Sequence, residues 1–251
     1  MWKLAEYPCD FDNREKSATV DSSERRMYRS FRFGEATDMK RQSTALLLWF
    51  CVLTGCTGMP SRGYVARLEL LAQLQTLNAD LLGHDSATLT LERWCGAHRL
   101  ADPPRVIARR VLGAAKAIPG ELRKRLDVGA NEPIAYRHVQ LVCGGRVLSE
   151  ADNWYVPSRL TPEMNRRLDT SDEPFGKVVG ALGFRRSTIS ADLLWAPLPR
   201  GWETSARREF RATPEVPHDV LRHEAILYTS AQVPFSAVVE TYTSETLRRM
   251  H

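Results

Sequence analysis

The sequence predicts an α+β fold, an antiparallel β-sheet with helices on one side. Three observations carry that expectation. Leu70, Leu74, Leu77 and Leu81 repeat at helical spacing and open the folded part with an amphipathic helix. After Pro103-Pro104 the apolar period changes to that of a strand. The strand-like segments are then joined by turn signals, with helix starts inserted between groups of them.

The first helix is expected over residues 64–82, with Arg67, Gln73 and Gln75 beside the leucine stripe. A second short helix or turn over 89–100 ends before Pro103-Pro104, a pair that no helix interior tolerates. Residues 105–112 and 133–142 read as strands, and in the latter Ala135, Arg137, Val139 and Leu141 fall on one face. Cys143-Gly144-Gly145 supplies the permissive backbone of a tight turn into 146–156, so these segments form a hairpin. Short helices are expected at 162–168 behind Thr161 and at 174–182 behind Asp172, each with Pro in its first turn. Strands near 190–198, 220–229 and 235–243 close the chain, and 200–217 reads as a surface excursion.

At 251 residues, 43% hydrophobic and 26% charged, the chain suits a globular protein with one sizeable core. Its charge of +5 is spread without a basic block or interleaved aromatics, so no nucleic acid is expected as a partner. His84, His98, His138, His218, His223 and His251 show no metal-ligand spacing with cysteines or carboxylates, and no metal is expected. GxSxG, P-loop and GxGxxG patterns are absent from the sequence.

Residues 39–56, MKRQSTALLLWFCVLTGC, are built like a signal peptide: Lys40 and Arg41, then an apolar run from Ala45 to Leu53. That run is shorter than the roughly 20 residues a bilayer span needs. Leu53-Thr54-Gly55-Cys56 resembles the lipobox of bacterial lipoproteins. The resemblance implies cleavage before Cys56, lipidation there, and a membrane anchor in the periplasm; the chain stays cytoplasmic if the signal is not used. The alternative is a buried core segment of similar length. The expected organisation is a disordered or misassigned extension at 1–38, a signal at 39–55, a tether at 56–63 and a domain at 64–251. The lipoprotein reading accounts for Cys9, Cys51 and Cys56. Cys95 and Cys143 then either pair in an oxidising compartment or remain two buried thiols.

Arg137 shares its strand face with Val139 and Leu141, and Glu240 shares its face with Val238 and Tyr242. Charges among apolar side chains are costly unless paired. An arginine fork grips a carboxylate with two hydrogen bonds, and a Glu in a closed pocket can hold a proton to donate. The pair therefore suits a small anionic ligand and acid catalysis. The alternative is that they pair with each other or lie on a solvated face.

Tyr136-Arg137-His138 through Trp154-Tyr155-Val156-Pro157, then Glu173-Pro174-Phe175-Gly176, then Val239-Glu240-Thr241, resemble chorismate pyruvate-lyase in order and spacing over residues 89–247. That resemblance implies a chorismate lyase-like fold and the release of pyruvate from chorismate to leave 4-hydroxybenzoate, without metal or organic cofactor. Arg137 would bind a substrate carboxylate and Glu240 would act at the bond that breaks. Phe175 and Gly176 would take the Pro-Leu-Gly position whose backbone lies at the ligand. Asp152-Asn153-Trp154 stands where the lyase has Gly-Arg-Thr, so a cation is missing and Asn153 and Trp154 become ligand-facing candidates. Trp94 and Cys95 are the nearest counterparts of the Ser-Met-Thr that the lyase places over its ligand, with core packing as their other role.

The same fold is used by the effector-binding UTRA domains of transcription regulators, which hold small anions and do no chemistry. The expected functions are thus a lyase for chorismate or a related cyclic carboxylate, or a non-catalytic binding module for a small aromatic carboxylate on a lipoprotein. A structural lipoprotein with a degenerate pocket is the remaining reading.

Overall fold

The computed structural model describes residues 62–113, 115–129, 131–204, 210 and 212–247. The expected extension, signal peptide, Cys56 and most of the tether lie outside the described residues. Helix α1, Arg62–Leu82, includes the last two expected tether residues and buries Leu74, Leu77 and Leu81 of the stripe. Helix α2, Ala87–Ala97, starts at Ser86, whose side chain accepts the N–H of Leu89 at 3.3 Å. Then come β1 (Val106–Arg110), α3 (Gly120–Arg125), β2 (Ala135–Cys143) and β3 (Arg146–Tyr155). Helices α4 (Pro162–Thr170) and α5 (Phe175–Val178) precede β4 (Arg185–Leu193), β5 (Asp219–Tyr228) and β6 (Pro234–Thr243). Among the described residues no helix is long and apolar enough to cross a membrane.

The strands form one six-stranded sheet in the order β1-β2-β3-β6-β5-β4, and every neighbouring pair is antiparallel. The predicted α+β class and antiparallel sheet are therefore the observed ones, but helices lie on both faces of the sheet rather than on one. Gly144 and Gly145 turn the β2–β3 hairpin at φ +56° and +81°, a left-handed pair that side chains resist. A Cβ on Gly144 would also lie 2.4 Å from that of Ala101.

One face of the sheet packs against α1 and α2 at one end, through Leu77, Leu91, Val139, Leu141, Leu221 and Tyr242. At its other end the same face meets α4 and α5 through Met164, Leu168, Phe175, Leu227, Phe235 and Val238. We call this the near face. The far face carries the short α3, with Leu122 and Leu126 against Trp154, Ile226, Ala237 and Val239. A disulfide joins Cys95 of α2 to Cys143 at the end of β2, across 48 residues of sequence. Of the two outcomes left open for these thiols, pairing is the one found. At the β1 edge, the N–H of Val106 donates to Glu92 Oε2 and that of Ala108 to the carbonyl of Asp172, both at 2.9 Å.

The structure departs from the sequence reading at three elements. Strand β4 begins at Arg185 rather than near 190, because Arg185, Ser187 and their neighbours are polar on an edge strand and hide the alternation. Helix α3 has a single buried residue, Leu122, too little for any apolar period. The helix expected over 174–182 divides into α5 and a 3-10 turn, Gly180–Leu182. Its start is Pro174, without a side-chain cap, and Asp172 instead presents its carbonyl to β1.

Candidate functional site

Strand register gathers the candidate residues on the near face. Arg137 of β2 pairs with Asn153 of β3, which pairs with Val238 of β6. One pleat along, Val139 pairs with Ala151 and Ala151 with Glu240. Residues two apart share a face, so Arg137, Asn153 and Glu240 converge on one cavity. Its floor and walls are apolar, from Val139, Leu141, Ala151, Leu227 and Val238, and Phe175, Gly176 and Phe184 line it as well. Asp85, Ser86, Ala87 and Thr88 at the start of α2 complete the lining. The cavity is about 40 Å³, and the space between lining atoms including the mouth reaches about 510 Å³. The start of α2 forms the cover of this cavity.

Arg137 is 6% exposed. Its Nη1 and Nη2 both donate to the carbonyl of Glu173, and Nη2 also to that of Ser171, all at 3.1 Å. Its buried Nε has no hydrogen-bond partner. Burial, and then neighbouring Arg110, lower its pKa, yet a guanidinium stays charged at any pH the fold meets. The cation is thus held by neutral carbonyls, while Asp169 and Asp172 act on it only from a distance.

Glu240 is paired, but not with Arg137. Arg186 of β4 reaches across β5 and donates from Nη2 to Glu240 Oε2 at 2.6 Å, with the side chains 4% and 9% exposed. Tyr242 donates its hydroxyl to the same oxygen at 3.1 Å. Burial works against the Arg186 charge, but Glu240 and Tyr242 outweigh it and raise its pKa. Burial and then Glu240 push the Tyr242 hydroxyl well above its ordinary value. Like Arg137, Arg186 has a buried Nε without a partner. Behind this group His223, fully buried, has Nε2 2.8 Å from Asn78 Oδ1. Burial, then Arg186, push its pKa down to about 4.

Of the remaining candidates, Asn153 lines the cavity and accepts the Ser236 hydroxyl at 2.6 Å. Phe175 and Gly176 line it too, and a Cβ on Gly176 would stand 2.9 Å from Ser86 Oγ. Two expectations are corrected. Trp154 follows Asn153 in one strand and so points to the far face; there it packs in the α3 cluster and donates Nε1 to the Lys116 carbonyl at 2.9 Å. Cys95 is in the disulfide and in the core around α2, away from the cavity lining. Trp94 is likewise core, its Nε1 donating to the Thr246 carbonyl at 2.9 Å.

Sequence reasoning missed Arg186, Ser86 and Thr88. Arg186 was masked by a late expected start of β4. For the cover, the legible signal was Ser86-Ala87-Thr88, a Ser-x-Thr at a helix start, eight residues before Trp94. The N–H groups of Ala87 and Thr88 in the first turn of α2 have no protein partner among the described residues, and such groups favour an anion.

No protein-family model matches the sequence. Among solved structures, PhnF from Mycobacterium smegmatis is similar at a TM-score of 0.43 and 15% identity, with 68% of this chain and 70% of that one covered. The possible transcriptional regulator YydK from Bacillus subtilis is similar at 0.36 and 17%, covering 58% of this chain and 60% of that one. The ligand-binding domain of a putative GntR-family transcriptional regulator from Bordetella bronchiseptica gives 0.36 and 18%, covering 55% and 82%. By sequence, an uncharacterized protein, y4mC of Sinorhizobium fredii, is 54% identical over 186 residues, 73% of this chain and 78% of that protein. The chain belongs to the family of y4mC.

Proposed function

We propose that the domain is a binding module of chorismate lyase-like or UTRA-like type for a small carboxylate with an apolar body, held at Arg137. One observation carries the reading: Arg137 is a buried cation at an apolar cavity, met within hydrogen-bond reach by neutral carbonyls and left with an unpartnered Nε. Orphaned buried donors are rare and need a cause, and a bound carboxylate supplies one. The unpaired N–H groups of Ala87 and Thr88, with Thr88 at the cover, point to the same chemistry.

Glu240 is read as a fixed acceptor. Its Oε2 already takes hydrogen bonds from Arg186 and Tyr242, which favours binding over proton donation. Titration of the full chain with benzoate or 4-hydroxybenzoate, followed by calorimetry, tests the reading. Arg137→Gln should weaken binding by about 2 kcal/mol, roughly thirtyfold, the size of a charge-assisted hydrogen bond. Unchanged affinity in that variant sinks the assignment. Lyase activity is checked in the same preparation by adding chorismate and following 4-hydroxybenzoate; its formation, abolished by Arg137→Gln, would replace the module reading with the enzyme.

We place the module on a lipid anchor at Cys56, outside the cytoplasm. The Cys95–Cys143 disulfide supports this, since such bonds persist in oxidising compartments. Metabolic labelling with palmitate should mark the protein, and a label that survives Cys56→Ser contradicts the anchor.

A further inference from the structure

We infer that Glu240 is a built-in counter-ion that makes the cavity select a singly charged ligand over a doubly charged one. This rests on the carboxylate-binding reading above. Two guanidinium groups line the cavity, and their charges are met differently. Arg137 donates to neutral carbonyls, so one positive charge stands without a bonded carboxylate. Arg186 is neutralised by Glu240 at 2.6 Å. A ligand's first carboxylate finds an available cation; a second finds its place already taken by a protein carboxylate.

Glu240 cannot easily give way. Tyr242, 0% exposed, donates to the same Oε2, and burial leaves that hydroxyl no solvent to turn to. Asp85 adds a further negative group at the cover, its Oδ1 accepting the Arg186 backbone N–H at 2.8 Å. Carboxylates crowded into one site repel, and a buried charge without a partner costs several kcal/mol. Glu240 is in this sense a specificity-determining residue, acting on ligand charge rather than on a bond.

The test uses probes of one shape that differ by one charge: terephthalate against 4-carbamoylbenzoate, repeated with succinate against succinamate so that size exclusion does not decide. Each is titrated into the full chain by calorimetry at neutral pH. The wild-type chain should favour the monoanion by at least about tenfold, some 1.4 kcal/mol. In Glu240→Gln, which frees Arg186, the ratio should move toward the dianion by about tenfold or more. In Glu240→Gln/Arg186→Gln, which removes the ion pair as a unit and is the variant better placed to fold, the ratio should fall between the two. A wild-type ratio near one, or a ratio that both variants leave unmoved, overturns the inference. Failure of benzoate and of every probe to bind the wild-type chain instead overturns the carboxylate-binding reading beneath it.

Discussion

On the far face of the sheet, Asp152 is buried to 17% side-chain exposure and meets Lys116 Nζ at 2.7 Å, Tyr136 Oη at 2.6 Å and His138 Nδ1 at 2.8 Å. On the near face, Arg137 and Arg186 are buried more deeply and each keeps an Nε without a partner. Both faces carry charge among apolar side chains, yet only the far face completes its hydrogen bonds from within. A satisfied network such as that of Asp152, Tyr136 and His138 fixes structure. An incomplete one, repeated at both cations of one cavity, is what the binding reading proposed above accounts for. On that reading, the difference separates a charged cluster that stabilises the sheet from one that holds a ligand.

That comparison can be pressed in order of effect. Replacing both Cys95 and Cys143 with Ala should lower stability by about 4 kcal/mol, the loop-closure contribution for a loop of this length, read as the midpoint of urea unfolding. An unaltered midpoint would show that the staple between α2 and β2 contributes nothing to the near face. Trp154→Ala should cost about 3 kcal/mol by emptying the far-face core, while the folded protein keeps its carboxylate affinity; loss of binding in proportion to nothing but this residue would erase the distinction between faces.

His223 offers a near-face test that needs no ligand. Its folded-state pKa, near 4, lies below the ordinary 6.5, so the unfolded chain takes up the proton first. Stability is therefore undiminished above about pH 6.5 and falls by about 3 kcal/mol as pH drops to 4. His223→Gln should flatten that part of the slope, and a slope that persists in full assigns it to other groups. The smallest effect belongs to Gly176→Ala, whose methyl must push Ser86 from its capping position. It should lower stability by about 1 kcal/mol and reduce ligand affinity more than Trp154→Ala does.

Much of this was readable before the structure. The hairpin at Gly144-Gly145, the leucine stripe of α1 and the cap at Thr161, which accepts the Met164 N–H at 3.2 Å, follow from local chemistry. Arg137 and Glu240 could be picked out because a charge in an apolar alternation stands out on its own strand. Arg186 could not, since its strand is an edge whose other residues are polar, and its burial is created by β5 and β6 beneath it. Asn153 and Trp154 looked equivalent as neighbours in sequence; only the phase of the pleat, set by pairing with β2 and β6, assigns one to the cavity and the other to the far core. Period reveals that a side chain is out of character, while partner and phase come from strands distant in sequence.

The hydrogen bonds that Glu92 and Asp172 make to the outer edge of β1 occupy donors that another strand would need. With the N–H groups of Val106 and Ala108 already engaged, an incoming strand finds that side of the sheet closed to pairing. The β4 border is engaged in the same way at one point, where Asp85 Oδ1 accepts the Arg186 N–H. A sheet whose two borders both spend edge donors on its own chain offers an added strand less than a bare edge would.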